Sequence, residues 1–160
     1  MKTLITCALA LFLGINMMNG QNQDDIYIIL TSTPDSDDDS EGIFKLVSST
    51  APERLHNYPP ISFWFRSKSK DIWFTLSHRN LKTAPLRPFN QMQIVMKDKT
   101  FLNDLNPVDF DVIWPTMTKS EAEAFCETIK GKLIWLIDRN DMVGNNVKLI
   151  QVQLREYKQI

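Results

Sequence analysis

Apolar residues fall along this chain in short β-branched and aromatic runs, separated by polar stretches that carry proline and glycine. Ile26 to Ser32 (IYIILTS) has no polar face, which predicts a strand buried on both sides. Pro34 to Gly42 is polar, acidic and bounded by turn formers, so it reads as a loop. Ile43 to Ser48 (IFKLVS) alternates and is expected to return as the second strand of a hairpin. Thr50 to Pro60 carries three prolines and no period, the pattern of a surface connection.

The strongest hairpin signal spans Ile61 to His78. Two runs, Ser62 to Arg66 (SFWFR) and Asp71 to Ser77 (DIWFTLS), flank a Ser/Lys turn at 67–70. Side chains alternate across a strand, so Phe63 and Phe65 share one face with Trp64 on the other. Ile72, Phe74 and Leu76 likewise oppose Trp73. Residues 80–90, with Pro85 and Pro88, read as a loop. Gln91 to Lys97 is predicted as a strand, Thr100 to Asn106 as a short helical turn, and Asp109 to Trp114 (DFDVIW) as a strand ending at Pro115.

The clearest helix follows. Thr118 and Glu121 have the spacing of a capping box, in which each side chain satisfies the other's free amide. Ala122, Phe125, Cys126 and Ile129 recur at helical spacing, and Gly131 suits the stop. Lys132 to Ile137 predicts a buried strand and Val147 to Leu154 the last one, with 155–160 a frayed tail. Strands come first and the helix late. The predicted class is therefore α+β, a mostly antiparallel sheet of about six to seven strands with one firm helix, about 118–130, packed on it. If 109–114 and 132–137 are parallel, the helix between them makes one crossover unit.

The amino terminus changes the compartment. Lys2, an apolar block from Leu4 to Ile15, and then Asn16, Asn19 and Gly20 follow the layout of a secretory signal peptide. The block is shorter than the roughly 20 apolar residues that span a bilayer. Cys7 lies inside it rather than after it, so no lipid anchor is expected. Cleavage is expected between Gly20 and Gln21, although Met18 is bulkier than the usual residue there; an uncleaved anchor is the alternative. The leader resembles that of an exported bacterial protein, which implies the periplasm or the extracellular space.

Removing 20 of 160 residues leaves 140, read as one exported domain over 21–160 with 21–25 frayed. The leader takes one charged side chain, Lys2, so 18 basic residues become 17 against 19 acidic ones and the net charge moves from −1 to −2. Such a balance gives no electrostatic footprint for nucleic acid. With the leader gone, Cys126 is the sole cysteine, and stability has to come from packing rather than a disulfide.

Candidate chemistry is thin. Asp35, Asp37 and Asp39 have the spacing that opens a calcium loop. Ser40 stands where the sharp turn needs glycine, and Leu46 where a bidentate Glu belongs. Weak Ca2+ binding is the most these carboxylates offer, and no other cofactor is indicated. Cys126 sits on the apolar helix face, where burial quietens a thiol. No G-x-S-x-G string, zinc spacing or glycine-rich phosphate loop occurs.

The positive hint is Trp64 and Trp73, in neighbouring strands. If their face is open rather than part of the core, it offers an aromatic surface to a partner protein or glycan. The last strand, 147–154, is a second docking candidate if it forms a free sheet edge. The expectation is a non-enzymatic binding or interaction domain of the bacterial envelope, with no stable membrane span after cleavage. The alternative is a small hydrolase whose site assembles in the fold from at least two of His56, His78, Asp138 and Asp141.

Overall fold

The computed structural model describes residues 25–34, 41–47, 61–78 and 93–157, with side chains up to 155. The strands are β1 (Ile26–Leu30), β2 (Thr33–Pro34), β3 (Gly42–Val47), β4 (Ile61–Ser67), β5 (Ile72–Ser77), β6 (Ile94–Asp98), β7 (Val108–Asp109), β8 (Ile134–Asp138) and β9 (Asn146–Tyr157). The helices are α1 (Phe101–Asp104), α2 (Phe110–Ile113) and α3 (Lys119–Ile129), and a 3-10 turn (Arg139–Asp141) follows β8.

The predicted mostly antiparallel sheet of six to seven strands with one helix is overturned. Among the described residues, nine strands form a mixed sheet and three helices accompany it; strand takes 50% of those residues and helix 22%. The decisive difference is β1. It does not form a hairpin with β3 but lies parallel to β8 on one side and to β7 on the other. A run of Ile and Leu without a polar face is what a strand inside a parallel sheet requires. β2 and β7, two residues each, are too short to leave a periodic signal.

Asp109 to Trp114 is the second correction. Only Val108 and Asp109 are strand; the Asp109 carboxylate then accepts from the Asp111 backbone N–H at 3.0 Å and caps α2. The same residues therefore read as alternation but fold as an N-cap and one helical turn. β9 also runs on to Tyr157, where the sequence predicted a tail. Its 12 residues are long because one edge carries β6 along Asn146–Ile150 and β5 along Gln153–Tyr157, while the other carries β8. Leu149 and Ile150 are paired on both edges, so the middle of the last strand is not a free docking edge.

The chain closes the sheet with a bend. Only Thr31 and Ser32 separate β1 from β2, yet β1 pairs with β8 and β2 with β3. The strand path β2-β3-β4-β5-β9-β8-β1 thus begins and ends in one segment. Inside lies the main core, where Phe65 stacks on Phe74 with ring centroids 4.4 Å apart, and Phe110 meets Phe125 at 5.1 Å. A smaller cluster of Ile29, Ile137, Val147 and Leu149 packs under Tyr27, Phe101 and Trp135 on the other side of β1 and β8.

The hairpin and the long helix follow their local chemistry. In β4 and β5, Phe65 faces Phe74 and Phe63 faces Leu76, all buried. The Thr118 hydroxyl accepts from the Glu121 N–H at 3.3 Å, and the Glu121 carboxylate accepts from the Thr118 N–H at 2.8 Å. Ala122, Phe125, Cys126 and Ile129 are the buried face of α3. Gly131, at φ +75°, turns the chain out of the helix in a conformation other residues adopt only with strain. An ion pair from Lys119 to Asp71 ties the start of α3 to the hairpin turn.

Candidate functional site

The β3–β4–β5 surface turned away from Phe63 and Phe65 carries both predicted tryptophans. Trp64 lies opposite Thr75 and Arg66 opposite Trp73, which makes the two indoles diagonal neighbours. Their rings meet edge to face, 5.7 Å apart at 90°. Both are half-buried. The Arg66 guanidinium sits 5.2 Å from the Phe44 ring centre and 5.8 Å from that of Trp64. Only 8% of Arg66 is exposed, so this cation is held among aromatic rings and is largely desolvated, where cation–π attraction is strongest. Gly42 lies opposite Arg66; a Cβ there would come within 3.3 Å of the Phe44 ring, so glycine makes room for that ring.

A second polar assembly, in which the sequence reading named Asp138 and Asp141 but none of their partners, stands at the carboxyl ends of β1 and β8. Asp138 has no exposed side-chain surface. Its Oδ1 accepts from the backbone N–H of Ser32 at 3.2 Å and of Asn140 at 3.1 Å; its Oδ2 accepts from the Ser32 hydroxyl at 2.5 Å. Lys45, reaching across from β3, places Nζ 3.3 Å from Asp138 Oδ2 and also donates to Asp141 Oδ1. Lys148 Nζ stands 3.3 Å from Asp141 Oδ2 as an ion pair, although that oxygen has no aligned hydrogen bond. Burial pushes the Asp141 carboxyl up, but Lys45 and Lys148 outweigh it and the group lies below its ordinary range.

Beside this group, Arg139 bonds both oxygens of Asp109, at 2.7 and 3.3 Å, and also pairs with Asp111. The Asp111 carboxylate in turn accepts from the N–H and hydroxyl of Thr31 at 2.8 and 2.7 Å. The bend at Thr31–Ser32 is therefore held by two carboxylates. These partners come from segments far apart in the chain, and no local spacing announces them. The one signal available was a buried-strand pattern ending in Asp138.

Of the four residues proposed for a hydrolase, the structure joins Asp138 and Asp141 through Lys45. His78 is bonded elsewhere: its Nδ1 donates to the Gln151 carbonyl at 2.6 Å. His56 lies outside the described residues, as do Asp35, Asp37 and Asp39 and the leader 1–20. Cys126 is buried, and burial pushes its thiol up to about 12. The cleft lined by Trp73, Lys119 and Cys126 has room for little more than one water. Among the described residues, no group of three or more His, Cys, Asp or Glu is placed to hold a metal ion, and no helix is long and apolar enough to cross a membrane. No family model, curated protein or solved structure matches the chain.

Proposed function

We propose that this chain is an exported, non-enzymatic binding domain of the bacterial envelope, and that Trp64 and Trp73 form its contact surface for a partner protein or glycan. The observation that carries this reading is the half-buried, edge-to-face tryptophan pair on the side of the hairpin away from the core. Two rigid rings give a large apolar contact at low cost in side-chain entropy. Arg66, held between Phe44 and Trp64, stiffens that surface and adds positive charge beneath it.

The groups a hydrolase would need are committed to other tasks. Asp138 and Asp141 are neutralised by lysines, His78 is tied to a backbone carbonyl, and the Cys126 thiol is buried and protonated. Chemical cross-linking of the mature protein in its native envelope tests the reading. A species attached to the wild type should be lost from Trp64→Ala and Trp73→Ala. The same attached species in all three, or none in the wild type, would overturn it.

A further inference from the structure

The Lys45–Asp138–Asp141 group has the arrangement of a self-forming amide cross-link, and we propose that Lys45 and Asp138 condense into an isopeptide bond with Asp141 as the proton carrier. The amine and the carboxyl are within reacting reach, with Nζ 3.3 Å from Oδ2. The site is largely closed to water: Asp138 has no exposed side-chain surface, Lys45 shows 16% and Asp141 18%, and the Phe63 ring centre lies 5.9 Å from Nζ.

The atoms balance. The Lys45 ammonium passes one proton to Asp138 Oδ2, leaving an amine and a carboxylic acid. The Nζ lone pair attacks Cγ of Asp138, and the carbonyl electron pair moves onto Oδ1. That oxygen already faces two backbone donors, the N–H groups of Ser32 and Asn140, which is the arrangement that stabilises a tetrahedral oxyanion. Asp141 takes the second proton from Nζ. When the carbonyl re-forms, the Cγ–Oδ2 bond breaks and Oδ2 leaves as water with the proton from Asp141. One hydrogen remains on the amide nitrogen, and Asp141 is again a carboxylate.

The bond would join β3 to β8, the strands next to β2 and β1 on either side of the closing bend. A covalent tie between residues so far apart in sequence restricts the unfolded chain as a disulfide does. Cys126 is buried and unpaired, so it supplies no such tie.

Peptide mapping of the denatured, trypsin-digested protein decides it. The expected result is that Leu133–Arg139 (LIWLIDR) is joined to the peptide containing an uncleaved Lys45, one water lighter than the sum of the two. Recovery of Leu133–Arg139 by itself, with cleavage after Lys45, means an ordinary ion pair and overturns the proposal. Asp141→Asn should fold but lose the linked peptide. A linked peptide persisting in that variant would overturn the assigned proton carrier, and if the variant does not fold the wild-type map still decides.

Discussion

Ser32 gives both its backbone N–H and its hydroxyl to the carboxylate of Asp138, at 3.2 and 2.5 Å, at the point where β1 bends into β2. The contact fixes the bend that closes the sheet. With Asp138 uncondensed, removing the hydroxyl leaves a fully buried carboxylate short of one donor, and bonds to charged groups are worth about 1.5–3 kcal/mol. Ser32→Ala is therefore expected to lower the urea midpoint by a stability loss in that range, with the slope unchanged. A midpoint equal to wild type would show that the bend does not depend on this bond.

Arg139 holds the Asp109 carboxyl below its ordinary value, outweighing the upward push of partial burial. A folded value that is depressed contributes stability above the unfolded value, about 3.9, and loses it as pH falls through the folded one. Arg139→Gln should therefore be less stable than wild type near neutral pH, and the two should converge as the solution is acidified. The pair is partly exposed, so the difference should be small and should shrink with added salt. A gap that widens in acid would contradict this assignment.

Cys126 is 1% exposed and its thiol is pushed up to about 12, chiefly by burial and then by Glu127 and Glu123. At about pH 8 it remains protonated and out of reach. A thiol-reactive dye, followed by peptide mapping at Cys126, should label it only as the protein unfolds in urea. Prompt labelling of the native protein would show that the helix face is open.

What the sequence made legible was local. The Thr118–Glu121 capping box, the spacing of Phe125 and Ile129, and the alternation of Phe63, Phe65 and Phe74 each depend on near neighbours, and each folds as those neighbours dictate. Partner choice between distant strands was not legible. Ile26 to Leu30 reads as a doubly buried strand, but nothing in it says that its neighbours are β7 and β8 rather than β3. The shared face of Trp64 and Trp73 followed from the pleat. Its Arg66 stack did not, because Phe44 arrives from another strand. Asp138 and Asp141 were named from sequence, but their partners were not, for the same reason: Ser32, Lys45 and Lys148 meet them only once the sheet has closed.

The four tryptophans offer the most direct test of the contact surface. Trp64 and Trp73 lie on the proposed face, whereas Trp114 packs against Phe65 and Phe74 and Trp135 stacks on Tyr27. Indole N–H resonances of the 15N-labelled protein, recorded while solubilised envelope protein and glycan fractions are added, separate the two sets. The expected result is a fraction that shifts or broadens Trp64 and Trp73 and leaves Trp114 and Trp135 in place. Perturbation confined to Trp114 and Trp135, or no response of Trp64 and Trp73 to any fraction, would contradict it.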